Sequence, residues 1–487
     1  MLFLFKTGGN TIFKIIHILL QSLRLKKHLN YNIIIRMKFI DFSDKDFYKR
    51  LIKLALPISF QSFMLSLVAA ADAFMLGRLE QSSMTAVSLA TQIPFVQTMF
   101  LLAITGTVTI LGAQYWGKGD KKTVNAVFCL SLRLSIGISL LFFAGCFFFP
   151  RQLMCIFTDV PELIELGADY LKIASWSYLI IGISQCYLAI MKVGEKARRS
   201  AWISSGAVIL NIIFNTIFIF GLFGMPAMGA RGAALATVLA RIIELVWCLI
   251  SSYNKGFIHP DFLRFFRRSS LLVRDFFKCS LPMVGAGFLW GIGFTAYTAI
   301  MGHMGADAAA ANSVTAVVRD LLCCLCHGLA TAGELVIAYE LGKGNLDTGK
   351  LYGQRLSRLS LLLGLATTVA SLMLTPLVVN FMVLTDEARS YLVGMLIITS
   401  FYITGRCINS ILITGLFCAG GDTYFDIYSV AATMWGLALP LMYLGAFVFK
   451  WPVLLVFACS CLDEVGKLPW VCLHYKKYKW VRDLTRD

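Results

Sequence analysis

The sequence predicts an all-α membrane protein of about twelve transmembrane helices, arranged as two six-helix lobes related by internal duplication. Three observations carry that expectation. Of the 487 residues, 58% are hydrophobic and only 15% charged, whereas soluble domains carry about 25% charged residues. Apolar stretches of helical length follow one another almost from end to end, and a hydrocarbon core needs roughly 20 apolar residues per span. Finally, the second half of the chain repeats the first.

The elements follow in order. Residues 1–36 hold a weakly apolar run, Ile12 to Leu25, broken by Lys14, His17 and Arg24. It is too short and too charged for a span, and it lacks a small-residue cleavage site. Either Met37 is the true start, or the segment is an interfacial amphipathic helix. Residues 1–50 therefore form an N-terminal cytoplasmic or interfacial extension without a functional role. Apolar helical stretches at 51–76, 88–116, 124–149, 163–191, 201–223 and 229–252 make an N-terminal lobe over 51–253. The one long polar break, 254–278, carries Lys255, Arg264, Arg267, Arg268 and Arg274 and reads as a linker. Stretches at 279–301, 312–341, 351–382, 388–417, 425–449 and 452–473 make a C-terminal lobe over 279–475, followed by a basic tail, 476–487.

Orientation follows from the basic residues, which favour cytoplasmic loops. One set of connections holds Lys118, Lys121 and Lys122, then Lys192, Lys196, Arg198 and Arg199, then Lys343 and Lys350. Both ends are basic too, with Lys45, Lys49, Arg50 and Lys53 before the first span and Lys476, Lys477, Lys479 and Arg482 after the last. The alternate connections carry only Arg78, Arg151, Arg231, Arg389 and Lys450. Both termini are expected in the cytoplasm, of a plasma membrane or a bacterial inner membrane.

The repeat is direct. Leu56-Pro57 matches Leu281-Pro282, Gly77 matches Gly302, and Ala86 and Ser88 match Ala311 and Ser313. Gly117-Lys118-Gly119-Asp120 matches Gly342-Lys343-Gly344-Asn345, all at an offset of 225 residues. Thr158-Asp159 pairs with Thr385-Asp386, and Gly194-Glu195 with Gly421-Asp422, at an offset of 227. Six helices per copy bring both copies into the bilayer from the same side, around an axis along the membrane normal, with a cavity between the lobes. That plan suits alternating access.

The net charge of +17 does not imply a nucleic-acid partner. The basic residues sit in short loop clusters, and no zinc-finger, RNA-binding or helix-turn-helix signature accompanies them. Most of the fourteen cysteines lie inside apolar helices, where the thiol behaves as a small hydrophobe. Cys323, Cys324, Cys326 and His327 cannot all face one point on a helix, so core packing is the better reading than a zinc site.

The Leu-Pro openings, Asp72 ahead of Gly77 and the Gly-Lys-Gly-Asp loop together form one part of a known pattern. Asn211-Ile-Ile-Phe-Asn215, Gly229-Ala-Arg-Gly232-Ala-Ala-Leu-Ala-Thr237 and Gly420-Gly421-Asp422-Thr423 complete it. From Lys38 onward the chain resembles the multidrug and toxic compound extrusion (MATE) family. The resemblance implies a secondary antiporter that exports small organic cations or amphipathic compounds in exchange for protons or sodium ions. It implies no cofactor beyond that coupling ion, and a chain acting as a monomer in the lipid bilayer.

Asp72 is the first coupling candidate. A carboxylate in a span costs roughly 2.5–3.5 kcal/mol on insertion scales, so it usually faces a cavity and works there. At about 1.5 Å per residue from Lys53 it reaches the outer half of the bilayer. An idle, solvated interfacial Asp is the competing reading. Asn211 and Asn215 share a helix face and reach similar depth, as does Thr237 on the next helix. In the family this chain resembles, such positions form the cation-coupling site of the N-terminal lobe. Their oxygens suit a sodium ion, the one metal this set would hold, or a proton relay. Interhelical hydrogen bonding is the plainer alternative.

In the C-terminal lobe the pattern departs from family branches with acids in the seventh and tenth helices. Residues 279–301 hold none, and the tenth stretch has Arg406 and Asn409. Glu334 and Asp320 remain candidates in the eighth, with Glu334 expected to pair with Arg406. Arg241 with Glu244, and Glu464 with Lys467, read as structural pairs. Two rival classes fit less well. A lipid-linked-glycan flippase needs more cavity cations than Arg406, Arg319 and Arg241. An enzyme needs a nucleophile–base arrangement or nucleotide loop, and none of the HExxH, GxSxG or GxxxxGK[ST] type is present.

Overall fold

The computed structural model describes residues 44–76, 81–253, 257–258, 260, 270–382 and 384–486. The chain divides into two units, 1–44 and 45–487, of which the second carries the membrane-spanning helices. The expectations for residues 1–36, and for most of the linker, lie outside the described residues.

Six long helices build the first half: α1 Lys45–Leu76, α2 Gln92–Lys118, α3 Lys121–Phe148, α4 Pro161–Val193, α5 Ala197–Phe220 and α6 Gly229–Ser252. The second half has α7 Ser270–His303, α8 Ala306–Gly342, α9 Leu346–Phe381, α10 Asp386–Gly420 and α11 Tyr424–Val448. A broken twelfth, α12, runs in three pieces: Val453–Ser460, Leu462–Val465 and Leu468–Lys476. Among the described residues, eleven helices are long and apolar enough to cross a membrane. The twelfth falls short because Asp463, Glu464 and Lys467 interrupt its apolar run.

The outer faces carry the large apolar side chains that a bilayer solvates, such as Leu141 and Met373, 70% and 73% exposed. Repeat-related residues share their environment: Leu56 and Leu281 are 63% and 62% exposed. The matched loops fold alike as well. Gly119 and Gly344 take φ of 82° and 81°, a left-handed turn that glycine adopts without strain. Asp120 then caps α3, accepting from the backbone N–H of Lys122 and Thr123 at 3.1 and 3.0 Å. Burial pulls the Asp120 carboxyl pKa up, but these bonds and that of the Thr123 hydroxyl outweigh it and hold the pKa below its ordinary value.

The lobes meet mainly along three helix pairs, α1 with α8, α2 with α8, and α2 with α7, with smaller contacts of α3 with α7 and of α2 with the end of α10. One apolar core, from Phe47 and Leu51 through Leu335 and Leu416 to Trp480, runs through both lobes. It lies toward the end carrying the basic α2–α3, α4–α5 and α8–α9 connections, termed the basic end. Two further apolar cores are separate, one in each lobe. The molecule is therefore joined at the basic end and divided into lobes beyond it.

Candidate functional site

In the first lobe, α5 and α6 approach closely because Gly232 has no side chain; a Cβ there would strike the Phe218 backbone. This approach brings the polar residues of the two helices together. Asn215 Nδ2 donates to Asn211 Oδ1 (3.2 Å), and Asn211 Nδ2 to Thr237 Oγ1 (3.4 Å). The Thr237 hydroxyl donates in turn to the Ala233 carbonyl at 3.0 Å. Asn211 and Asn215 are buried. Three of the four residues read from the sequence as a site are thus adjacent. The fourth, Asp72, lies by its backbone near the end of α1, which packs on α5; its side chain lies outside the described residues.

The second lobe holds a denser charged network. Glu464 of α12 accepts from Asn409 Nδ2 at both Oε2 (2.8 Å) and its backbone carbonyl (2.7 Å). Its Oε1 faces Arg406 Nη1 and Lys467 Nζ, each at 3.6 Å. Arg406 also donates to the Tyr402 hydroxyl at 3.2 Å. The expected pairing of Glu334 with Arg406 is therefore corrected: Arg406 faces α12, and its acid is Glu464. Glu334 lies instead within electrostatic reach of Lys192 in α4. The structural pair of Arg241 with Glu244 is present, Glu244 being fully buried.

Beside this network lies a cavity of about 50 Å³ lined by Tyr297, Arg319, Tyr402, Ser460 and Asp463 among others. The Tyr297 hydroxyl and Asp463 Oδ1 are buried there without a hydrogen-bond partner among the described residues. Sequence reasoning missed both. The signals were present: Asp463 interrupts an apolar stretch, and Tyr297 stands at Asp72 plus the repeat offset of 225.

Asp320, its side chain 56% exposed, pairs with neighbouring Arg319 at 3.1 Å. One turn on, Cys324 Sγ meets Ser66 Oγ of α1 at 3.4 Å, so this face of α8 is turned toward the first lobe. Cys323, Cys324 and Cys326 are buried and His327 is exposed, as divergence around a helix requires.

At the basic end the two lobes interlock reciprocally. A Cβ on Gly117 of α2 would strike the Tyr339 carbonyl of α8, and one on Gly342 of α8 would strike the Gln114 carbonyl of α2. Both glycines and both partners are related by the 225-residue offset. Beside them Arg50 bridges Glu195 of its own lobe and Glu340 of the other, the latter at 3.4 Å. Its guanidinium lies 3.9 Å over the Tyr339 ring.

The sequence model of the MatE family matches residues 57–217 and again 282–444. The two matches begin 225 residues apart and end 227 apart, the offsets of the internal repeat. The chain belongs to the MatE family. Its relatives include a transporter and multidrug resistance proteins of bacteria. It is 27% identical to the transporter YisQ of Bacillus subtilis over 82% of this chain and 88% of the relative. It is 23% identical to the multidrug resistance protein MdtK of Yersinia pseudotuberculosis over 81% and 87%. An outward-facing multidrug resistance MATE family transporter of the MOP superfamily shares the fold, with TM-score 0.81 and 17% identity over 88% of this chain and 96% of that one. This MATE chain is thus a multi-pass member of a multidrug efflux family, built from two repeated lobes.

Proposed function

We propose that this MATE transporter is a secondary antiporter of the plasma membrane. It exports small organic compounds, cationic or amphipathic, in exchange for protons or sodium ions, by alternating access between its lobes. The basic end, with both termini, faces the cytoplasm by the distribution of Lys and Arg.

The observation that supports this reading best is the buried chain Asn215–Asn211–Thr237 on α5 and α6, α5 being packed on α1, the helix that bears Asp72. A carboxylate with amide and hydroxyl neighbours is an all-oxygen set, which suits a proton or a hard cation such as sodium. Burial makes the ionised acid costly, so loading a cation and opening to water become linked events. The C-lobe charges serve a different end. Arg406 and Asn409 are both engaged by Glu464, and we read them as a lock fastening α10 to α12. Asp320, exposed on the α8 face turned to α1, is read as a contact for cationic cargo, and Glu334 as the counter-charge of Lys192.

The test is uptake of a fluorescent organic cation by proteoliposomes holding this chain, under an imposed pH or sodium gradient. Accumulation should follow one of the two gradients and so name the ion. Movement indifferent to both would remove antiport.

A further inference from the structure

The two symmetry-related seams between the lobes are closed at the basic end by different means. On the α1–α8 seam, two helix-borne charges meet directly, Arg50 with Glu340 at 3.4 Å. The offset of 225 carries Arg50 to Asp275 of α7 and Glu340 to Tyr115 of α2. The α7–α2 seam therefore sets an acid opposite a phenol, with no cation of its own at those two positions.

The C-terminal segment supplies one. Arg486 Nε and Nη2 donate to the two carboxylate oxygens of Asp275, each at 2.7 Å. The Arg486 backbone N–H donates to the Tyr115 hydroxyl (3.3 Å), and its carbonyl accepts from Lys118 Nζ (2.9 Å). Buried Gln114 grips the same stretch: its Oε1 accepts the Leu484 N–H at 2.6 Å, while its Nε2 donates to the Ala419 carbonyl of α10 at 2.7 Å. The root of the segment is fixed elsewhere. Trp480 is fully buried, close against Gly353 of α9 and Gly420 of α10. Residues 480–486 are thus rooted in the second lobe and cross to the first.

We propose that this segment is a releasable strap that supplies the guanidinium missing at the position matched to Arg50, and that it leaves α2 each time the lobes part at the basic end. The division of labour in its contacts fits that cycle. The apolar anchor, Trp480, sits against second-lobe helices, so it stays seated while the lobes move. The contacts to α2 are hydrogen bonds, part-buried at Gln114 and Tyr115 and exposed at Lys118, so water can replace them once the seam opens, while the Arg486–Asp275 pair lies within the second lobe and travels with the strap. A strap of this kind favours the state closed at the basic end without blocking the other. The proposal rests on the antiport reading, since it needs lobes that part at this end.

The test uses the full chain with Cys155 and Cys472, the exposed cysteines among those described, replaced by serine. Lys118→Cys and Arg486→Cys are bridged by a cleavable bis-methanethiosulfonate, and fluorescent-cation transport is read in proteoliposomes before and after reduction. Bridged protein should lose transport and regain it on reduction, with either single-cysteine variant unaffected by the reagent. Equal transport by bridged and reduced protein would overturn the strap. A second arm needs no transport. Ser59→Cys, deep in the α1–α8 seam, is labelled from the basic side by a membrane-impermeant maleimide, with and without the pair Lys118→Ala and Arg486→Pro, which removes the Arg486 contacts to α2 and to Asp275. Loss of the strap should raise the labelling rate several-fold, and an unchanged rate would overturn the proposal. A reduced protein that transports nothing would instead tell against the transport reading, leaving the labelling arm to decide the strap.

Discussion

The α1–α8 and α7–α2 seams descend from one ancestral contact, yet they are packed differently. On the first, Ser59 of α1 lies against Gly328 of α8, so closely that a Cβ at Gly328 would meet the Ser59 backbone. The repeat-related positions are Val284 and Ala103, whose added bulk rules out the same approach. The α7–α2 seam is filled by side chains instead: Met283 against Gly106, and Phe288 edge-on to Phe100 at 5.2 Å. One seam is set backbone to side chain across a glycine and closed by a direct ion pair. The other is lined by adaptable side chains and closed by a strap. Duplication supplied two equivalent interfaces, and a few substitutions made one tight and the other compliant, as Met and Phe cushions permit.

That contrast is open to attack at several points, the largest effect first. Gly328→Ala should destabilise the protein by about 3 kcal/mol, the upper end of the overpacking range, because backbone cannot yield as a side chain can. Gly106→Ala should cost less than about 1 kcal/mol, since its Cβ meets only the flexible Met283 end and alanine favours the helix. Melting in detergent compares them, and equal losses would erase the distinction between seams. Gly117→Ala and Gly342→Ala, which clash with each other's neighbouring backbone, should by contrast melt alike.

Next in size are the acids. Glu340 is buried and bonded to Arg50, Lys343 and Asn345, so Glu340→Gln should cost about 1–2 kcal/mol by weakening charged hydrogen bonds. Asp275→Asn should cost under about 1 kcal/mol, and less still at high salt, because its partner is exposed. A salt-insensitive loss at Asp275 would mean that the strap is structural. Smallest is Asn215→Ala. It deletes the Asn215–Asn211 bond within α5, an i to i+4 pair of a kind that contributes about 0.2–0.5 kcal/mol, so melting should barely move even if transport does.

Much of this was legible in the sequence. Apolar length marked the spans, and the matched Gly-Lys-Gly loops revealed the duplication with its offsets. The Asn211, Asn215 and Thr237 set was legible because helical spacing and the small-residue run on α6 fix both the face and the approach. What escaped depended on tertiary partners. Asp275 read as linker, since charges at a helix start look like loop to a hydropathy window, yet α7 begins at Ser270. Lys476, Lys477 and Lys479 made the tail look solvated, although Trp480 directly after them seats it in the core. Arg406 was given the wrong acid because the break in α12, which turns Glu464 toward α10, has no sequence period to announce it.

Coupling through the first lobe is tested most directly by Asp72→Asn in proteoliposomes, measuring gradient-driven efflux beside substrate counterflow without a gradient. The account predicts a variant that inserts, folds and still exchanges cargo but no longer responds to the ion gradient. Full gradient-driven efflux by that variant would contradict it.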